Sequence, residues 1–500
     1  MKKSRFLILI VSCAMPISGI AQDDFDAFVK KHEASFGSFI KERNAEYDAF
    51  RKRVNEEYAA MLDKTWKEFD AFTKIGVPED KVKPVPPVVY PKDDKVPNPK
   101  PLPFDDVVPV PKPEAQPEPI APIKEPPKPV TPIVPKVTFS FFGTSADVRF
   151  DTSIKDNLAV INEHSISKAW KDMSTENYTN LVYDCLQIRK ERRLCDWAYL
   201  EMLRCMSEKL YGKGTNSATL LMAYVYCQSG YKMRLARGGN EKLYMLYASK
   251  HIIYDKDYYS VSGTKFYVYG DAPKQIYICD ISFPKEKALS LYIPNDQLLV
   301  ERSSPVKTRQ SKRYSDIRTT LASNLNLMDF YATYPTSMIG ENFVTRWAMY
   351  ANTPMSEYVK NQIYPSLRAA IKGCSQLVAA NKLLNYVQTG FVYEFDDKVW
   401  GHDRAFFAEE SLYYPYCDCE DRSILFTRLI RDLLGLKCIL IYYPGHLASA
   451  VEFTEGNVGG DYILLNNRRF VVSDPTYINA PVGVTMSGMD NKAAKVIMLE

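Results

Sequence analysis

Apolar residues recur every eleven positions near the start of the chain. Phe25, Phe36, Tyr47, Tyr58 and Phe69 form one series, and Phe28, Phe39, Phe50, Met61 and Phe72 a second. Eleven residues make three turns of helix, so the stripe stays nearly straight on one face, with mostly charged positions between. The spacing predicts one long amphipathic helix over residues 22–76. Its narrow seam needs a partner, and self-association through this helix is the expected way of covering it. The pattern then stops. Residues 77–136 carry 20 of the chain's 32 prolines and no glycine. That composition predicts an extended polyproline segment, a semi-rigid linker that holds the globular part away from the helix.

Globular patterning begins at residue 137, with strands expected at 138–142 and 148–150 and helical periodicity to 209. Farther on, 349–387 reads as helical and 391–395 as a short strand. The sharpest pattern follows. Ile424, Leu425, Leu429, Leu433 and Leu434 fall at helical spacing behind Asp421 and Ser423, and Gly435 suits the position after the last turn. Residues 437–443 read as a buried strand, Pro444-Gly445 as a turn and 447–453 as a second strand. Two more, 462–465 and 469–473, flank an Asn466-Asn467 turn. A similar series appears upstream when Ala218 is set under Ser423 and Gly230 under Gly435. Gly214, Lys242 and Gly270 then fall where the later block has Cys419, His446 and Asp474. The fold class is α+β, with residues 137–300 either a degenerate copy of the unit in 301–500 or an unrelated α+β domain.

Composition narrows the setting. An apolar content of 46% is ordinary for a globular protein. The formal charge is +4, and Lys2, Lys3 and Arg5 supply three of those charges, so nothing argues for a nucleic-acid partner. The cluster of Arg302, Lys307, Arg309, Lys312, Arg313 and Arg318 has only Tyr314 interleaved and reads as a solvated face. The three early charges precede an apolar run, 6–11, and Gly19-Ile20-Ala21 suits a signal peptidase. Residues 1–21 therefore read as a signal peptide, and the chain as exported, periplasmic or cell-envelope associated. Ile10-Val11-Ser12-Cys13 is the alternative, a loose lipobox with Cys13 lipidated. No later run reaches the ~20 apolar residues of a membrane span. Of ten cysteines, nine follow the leader, an odd number that leaves at least one thiol free or paired between chains. No C-x-x-C pair or histidine cluster proposes a metal or cofactor, and the C-x-C at 417–419 lacks further ligands.

Chemistry converges on the C-terminal unit. Cys419 begins the helix of 424–434, where the macrodipole and free N–H groups are expected to favour a thiolate. His446 opens the next hairpin strand, and Asp474 closes the last. A cysteine, an imidazole and a carboxylate that holds its tautomer make a nucleophilic triad. His402 is the competing base. Glu420 and Asp421 read as first-turn residues, outside the chemistry.

Tyr416-Cys417-Asp418-Cys419-Glu420-Asp421-Arg422-Ser423 at a helix start, Gly445-His446 before a strand, and Asp474-Pro475-Thr476 after one resemble the transglutaminase-like superfamily of papain-like cysteine enzymes. The likeness covers roughly residues 330–480. It implies Cys419 as nucleophile, His446 as base and Asp474 as orienting carboxylate, on a helix packed against an antiparallel sheet. It also implies the Cys419 N–H as one oxyanion donor, with Trp400 and Tyr416 the candidates for a second. Cys417 stands where that family has glycine, and so presents itself as a redox partner or lock for Cys419. The expected activity is acyl transfer through a thioester on a protein or peptide substrate, with hydrolysis (peptidase or amidase) ahead of cross-linking. The alternative from another class is an envelope scaffold or binding protein with an inactive head.

Overall fold

The computed structural model describes residues 19–76, 82–88, 98–124, 134–155, 157–239 and 241–500. Cys13 and most of the expected leader lie outside the described residues. Among those described, twelve α-helices and mainly antiparallel sheets make an α+β fold. No described helix is long and apolar enough to cross a membrane.

The C-terminal unit is built on a seven-stranded sheet. Its spatial order is Lys100–Pro101, Asp461–Leu465, Arg468–Ser473, His446–Glu452, Cys438–Tyr443, Lys495–Met498 and Asp106–Val108. The Cys438–Tyr443 strand (CILIYY) is apolar on both faces because both are covered. The helix Cys419–Leu434 lies on one face, and a second apolar cluster with Leu102, Ala494 and Val496 lies on the other. That helix buries Ile424, Leu425, Leu429 and Ile430 and stops at Gly435, whose φ of +67° is the left-handed turn that glycine makes without steric cost.

The upstream unit has a six-stranded sheet ordered Lys67–Asp70, Gln275–Ile278, Met233–Arg237, Leu243–Ala248, Thr264–Val268 and Tyr258–Val261. The helix Asn216–Gln228 packs on its two central strands, as Cys419–Leu434 does on the other sheet. The antiparallel pairing corresponds too: the Tyr269 N–H bonds to the Met245 carbonyl, while Ser473 sits opposite Ser449. Gly270 and Asp474 therefore follow equivalent strand positions, and Lys242 and His446 precede equivalent ones.

Two expectations are corrected. The long helix runs from Gly19 to Leu62, and the aromatic repeat then continues as a strand. Phe69 and Phe72 find partners at the two edges of the sheet: Lys67–Asp70 pairs with Gln275–Ile278 at one, and Phe72 stacks on Tyr258 at the other, with ring centroids 5.3 Å apart. Tertiary pairing there overrides helical period. Part of the seam is also covered within the chain. Val54, Tyr58, Ala59 and Leu62 are buried, and Tyr58 meets Trp170 at 5.0 Å.

The described part of the proline-rich segment is no free spacer either. Proline lacks a donor but keeps its carbonyl, and the body supplies donors: Tyr292 Oη to Pro111 O (2.7 Å), Arg189 Nη1 to Pro117 O (3.1 Å) and Arg51 Nη1 to Pro122 O (2.6 Å). The segment also lines both edges of the large sheet. At one edge the N–H groups on either side of Pro101 do the pairing, Lys100 to Gly460 O at 2.9 Å and Leu102 to Tyr462 O at 2.8 Å. Proline is tolerated in a strand only at such an edge.

Candidate active site

Ser423 fixes the helix Cys419–Leu434 in place. Its buried hydroxyl donates to the Leu447 carbonyl at 2.8 Å, tying the first turns of Cys419–Leu434 to the strand that His446 opens. Cys419 lies one turn earlier, a spacing that puts both residues on one helix face. The Leu447 N–H faces the Cys419 sulfur and favours its thiolate. Asp474 is held by its own turn, with Oδ1 accepting from the Thr476 N–H at 2.8 Å. Its other oxygen meets His446 Nε2 at 2.9 Å. That leaves Nδ1 as the only ring nitrogen able to take a proton, and it is buried without a hydrogen-bond partner. The structure thus brings the three expected residues to one strand end and joins two of them. No hydrogen bond links the sulfur to the ring. The thiol instead meets Glu420 Oε2 at 3.5 Å.

Expectations for the other candidates fare differently. His402 is exposed, with Nδ1 against its own chain at Trp400 O (3.0 Å). Cys417 turns toward Val392 O, and every cysteine among the described residues is free, so Cys417 forms no lock on Cys419. Trp400 packs in an aromatic group with Phe406 and Tyr414, and Tyr416 lies exposed.

The largest departure is electrostatic. A helix start was expected to make Cys419 more acidic; the thiol is held well above its ordinary range. Burial is the main cause, since the residue is 1% exposed, and the Asp418 and Glu420 carboxylates add to it. Glu420 is therefore part of the site and not merely a first-turn residue. Around it lie Asp396, Asp403, Asp418 and Asp421, most of them deeply buried. Burial and the Glu420 charge push Asp396 up to about 7. Asp421 is pushed far up by burial and by Asp418, and its two oxygens accept from the Phe406 N–H (2.8 Å) and the Asp418 N–H (3.2 Å).

Two cations answer this charge. Arg346 pairs with Asp403 and comes within 3.8 Å of Glu420. Lys83, from the proline-rich segment, puts its ammonium 2.5 Å from Asp418, 2.8 Å from Glu420, 3.1 Å from Asp403 and 3.5 Å from Asp396. Burial alone would lower the Lys83 pKa, but Glu420 and Asp418 carry it far upward. Asp403 is only half-buried, and Arg346 and Lys83 hold it down at about 2. From Lys83 the segment crosses the site. Tyr393 Oη donates to Pro84 O at 3.4 Å, the Ile478 N–H donates to Pro87 O at 3.0 Å, and Val88 bridges to Ile478, four residues past Asp474.

Sequence reasoning missed Lys83, Arg346, and Tyr393, Asp396 and Asp403, which come from three separate stretches. The run of acids at 396, 397, 403, 418, 420 and 421 was the one available signal. Asp418, Cys419 and Glu420, and likewise Asp396, Asp403 and Glu420, bring ligand atoms within 4.8 Å of one another, close enough to hold a cation. In the structure Lys83 Nζ serves as that cation. Comparison with protein-family models, curated proteins and solved structures finds no match.

Proposed function

We propose that residues 301–500 form a papain- or transglutaminase-like cysteine acyl-transfer unit, exported to the periplasm or envelope by a leader at 1–21. The upstream sheet, with Lys242 and Gly270 at the positions of His446 and Asp474, is then a copy that has lost this chemistry. The observation that carries the reading is the His446–Asp474 pair. Asp474 occupies Nε2 and fixes the tautomer, so Nδ1 is left to accept a proton at the strand end where the Cys419 helix is anchored.

The chemistry follows from those parts. The Cys419 proton passes to His446 Nδ1, and the thiolate attacks an amide carbonyl carbon. The C–N bond breaks, the amine leaves with the imidazolium proton, and a thioester remains. Water then gives up a proton to the imidazole, attacks the thioester and regenerates the thiol with release of a carboxylic acid. An amine in place of water would give a new amide; hydrolysis is the favoured outcome for a peptide or side-chain amide. Once released from Pro84 O, the hydroxyl of Tyr393, whose own ionisation is suppressed by burial and the nearby Cys419, is our choice of donor to the oxyanion.

A second reading, an envelope scaffold with a silent head, draws on the raised Cys419 thiol and the missing sulfur–imidazole bond. Iodoacetamide labelling of Cys419 across pH, mapped by mass spectrometry, separates the two. On the enzyme reading, His446→Ala slows labelling below pH 8 by about 100-fold, the scale of general-base assistance. Equal rates and one shared pH profile would leave the scaffold.

A further inference from the structure

The carboxylate pocket beside Cys419 contains more negative charge than a helix start needs. Asp418, Glu420, Asp403 and Asp396 converge on one point, and Arg346 compensates only Asp403 and Glu420. Burying carboxylates costs several kcal/mol each unless a cation meets them, so the pocket is stable only when filled. Asp418 Oδ1, on a side chain with no solvent exposure, still lacks a partner. The occupant is a primary ammonium. It is a compact charge with three donors, which suits four carboxylates around a point better than a planar guanidinium does.

What delivers that ammonium is equally informative. Residues 82–88 (VKPVPPV) are held by one cationic side chain and two backbone carbonyls, Pro84 O and Pro87 O. None of these contacts requires a backbone N–H, so a proline-rich extended strand satisfies all three. Val82 and Val85 point outward, 93% and 76% exposed, which leaves Lys83 as the side chain read by the site. The strand passes from the Cys419 helix to Ile478, beyond Asp474, and the thiol beneath is closed to solvent.

We propose that this pocket is a subsite for a primary ammonium, that the substrate is an extended peptide bearing a lysine-like side chain, and that residues 82–88 occupy the subsite as a substrate-like strap that keeps the resting enzyme latent. The substrate part rests on the acyl-transfer reading; the strap's blockade of Cys419 does not. Release of Lys83 opens the thiol, and a peptide with an ammonium at the same place competes for the carboxylates.

The test uses the full chain and the neutral reagent iodoacetamide at pH 7.5. In Lys83→Met, Cys419 labelling rises about tenfold or more, whereas Lys83→Arg keeps much of the block because the charge remains. Buried Cys185, Cys227 and Cys438 stay unlabelled, which reports an intact fold. Adding Ac-VKPVPPV-amide to Lys83→Met restores protection, and the same peptide with norleucine for lysine does not. On the wild type, whose fold is not in question, the lysine peptide raises hydrogen exchange at the Ile478 amide, which donates to Pro87 O, and the norleucine peptide leaves it unchanged. Unchanged labelling in a folded Lys83→Met, equal effects of the two peptides, or no exchange response in the wild type would each overturn the proposal. So would calcium or zinc binding to Lys83→Met that excludes the lysine peptide, which would make the pocket a metal site. If Lys83→Met combined with His446→Ala labels like Lys83→Met alone while the strap effects hold, the acyl-transfer reading fails and the latch stands.

Discussion

Glu409 illustrates at one residue how burial sets the ionisation of this molecule. It is fully buried in the helix Ala408–Tyr413, which packs on the helix Cys419–Leu434, and it accepts from the Ser356 N–H at 2.9 Å and the Ser356 hydroxyl at 2.8 Å. Those bonds favour the carboxylate, yet burial outweighs them and lifts the group from 4.5 to about 7. The folded chain therefore holds a proton there that the unfolded chain has lost between those two values. Stability present below about pH 4.5 falls as pH rises through about 7. Glu409→Gln keeps an acceptor for Ser356 and removes the charge. Its midpoint in urea should match wild type near pH 4.5 and exceed it at pH 8 by about 1–3 kcal/mol. A difference that is the same at both pH values would mean that Glu409 does not titrate with folding. Asp403 has the opposite sign: held near 2 by Arg346 and Lys83, it contributes stability above 3.8 that is lost as pH falls through 2. At this scale the placement of Cys419, His446 and Asp474 was legible because each stands at the boundary of a strongly patterned element. Lys83 was not, because a lysine among prolines reads as a solvated residue until a distant pocket receives it.

Among elements, helices and strands with a firm period were readable. The helix from Cys419 to Gly435 and the hairpin after it lie where the apolar spacing puts them. Illegible were the places where one segment completes another. Phe69 and Phe72 kept the eleven-residue spacing, but the period could not show an unpaired strand edge at Gln275–Ile278 that would take that stretch as a strand. The proline-rich segment likewise carries no pattern of its own, and the donors it binds lie on the body. Gly230 gives a test of that docking. Its φ is +94°, and a Cβ there would stand 2.0 Å from the Glu118 carbonyl oxygen. Both the backbone and the neighbouring chain must shift to accept a methyl group. Gly230→Ala should cost at least about 2 kcal/mol and release the segment around Glu118. Limited proteolysis would then cut within residues 98–124 in the variant and not in wild type. Equal protection would show that the segment is not held against Gly230.

At the scale of the whole molecule, one buried core cluster runs from Val54 in the long helix to Ile497 in the last strand and joins the two units, with smaller clusters on the outer faces of their sheets. This continuity gives the N-terminal helix two roles that the sequence presented as one. Its later turns are structural: Leu62 is fully buried, and Asn55 bonds to both Gln228 and the Trp170 indole. Its earlier described turns keep an apolar surface, with Phe39 54% and Ile40 41% exposed. A rod carried on a spacer would tolerate change equally along its length. This helix should not. Leu62→Ala removes packed methyl groups from the core and is expected to cost about 2–5 kcal/mol in urea unfolding of the entire chain, in one transition with the C-terminal unit. Phe39→Ala, at an exposed position, should move stability by no more than about 0.5 kcal/mol. If the free seam mediates self-association, the same Phe39→Ala change lowers the weight-average sedimentation coefficient at high protein concentration, whereas Leu62→Ala in its folded range does not. A neutral Leu62→Ala would show that the helix is detached from the core. A concentration-independent sedimentation coefficient in the wild type would show that the remaining seam is simply solvated.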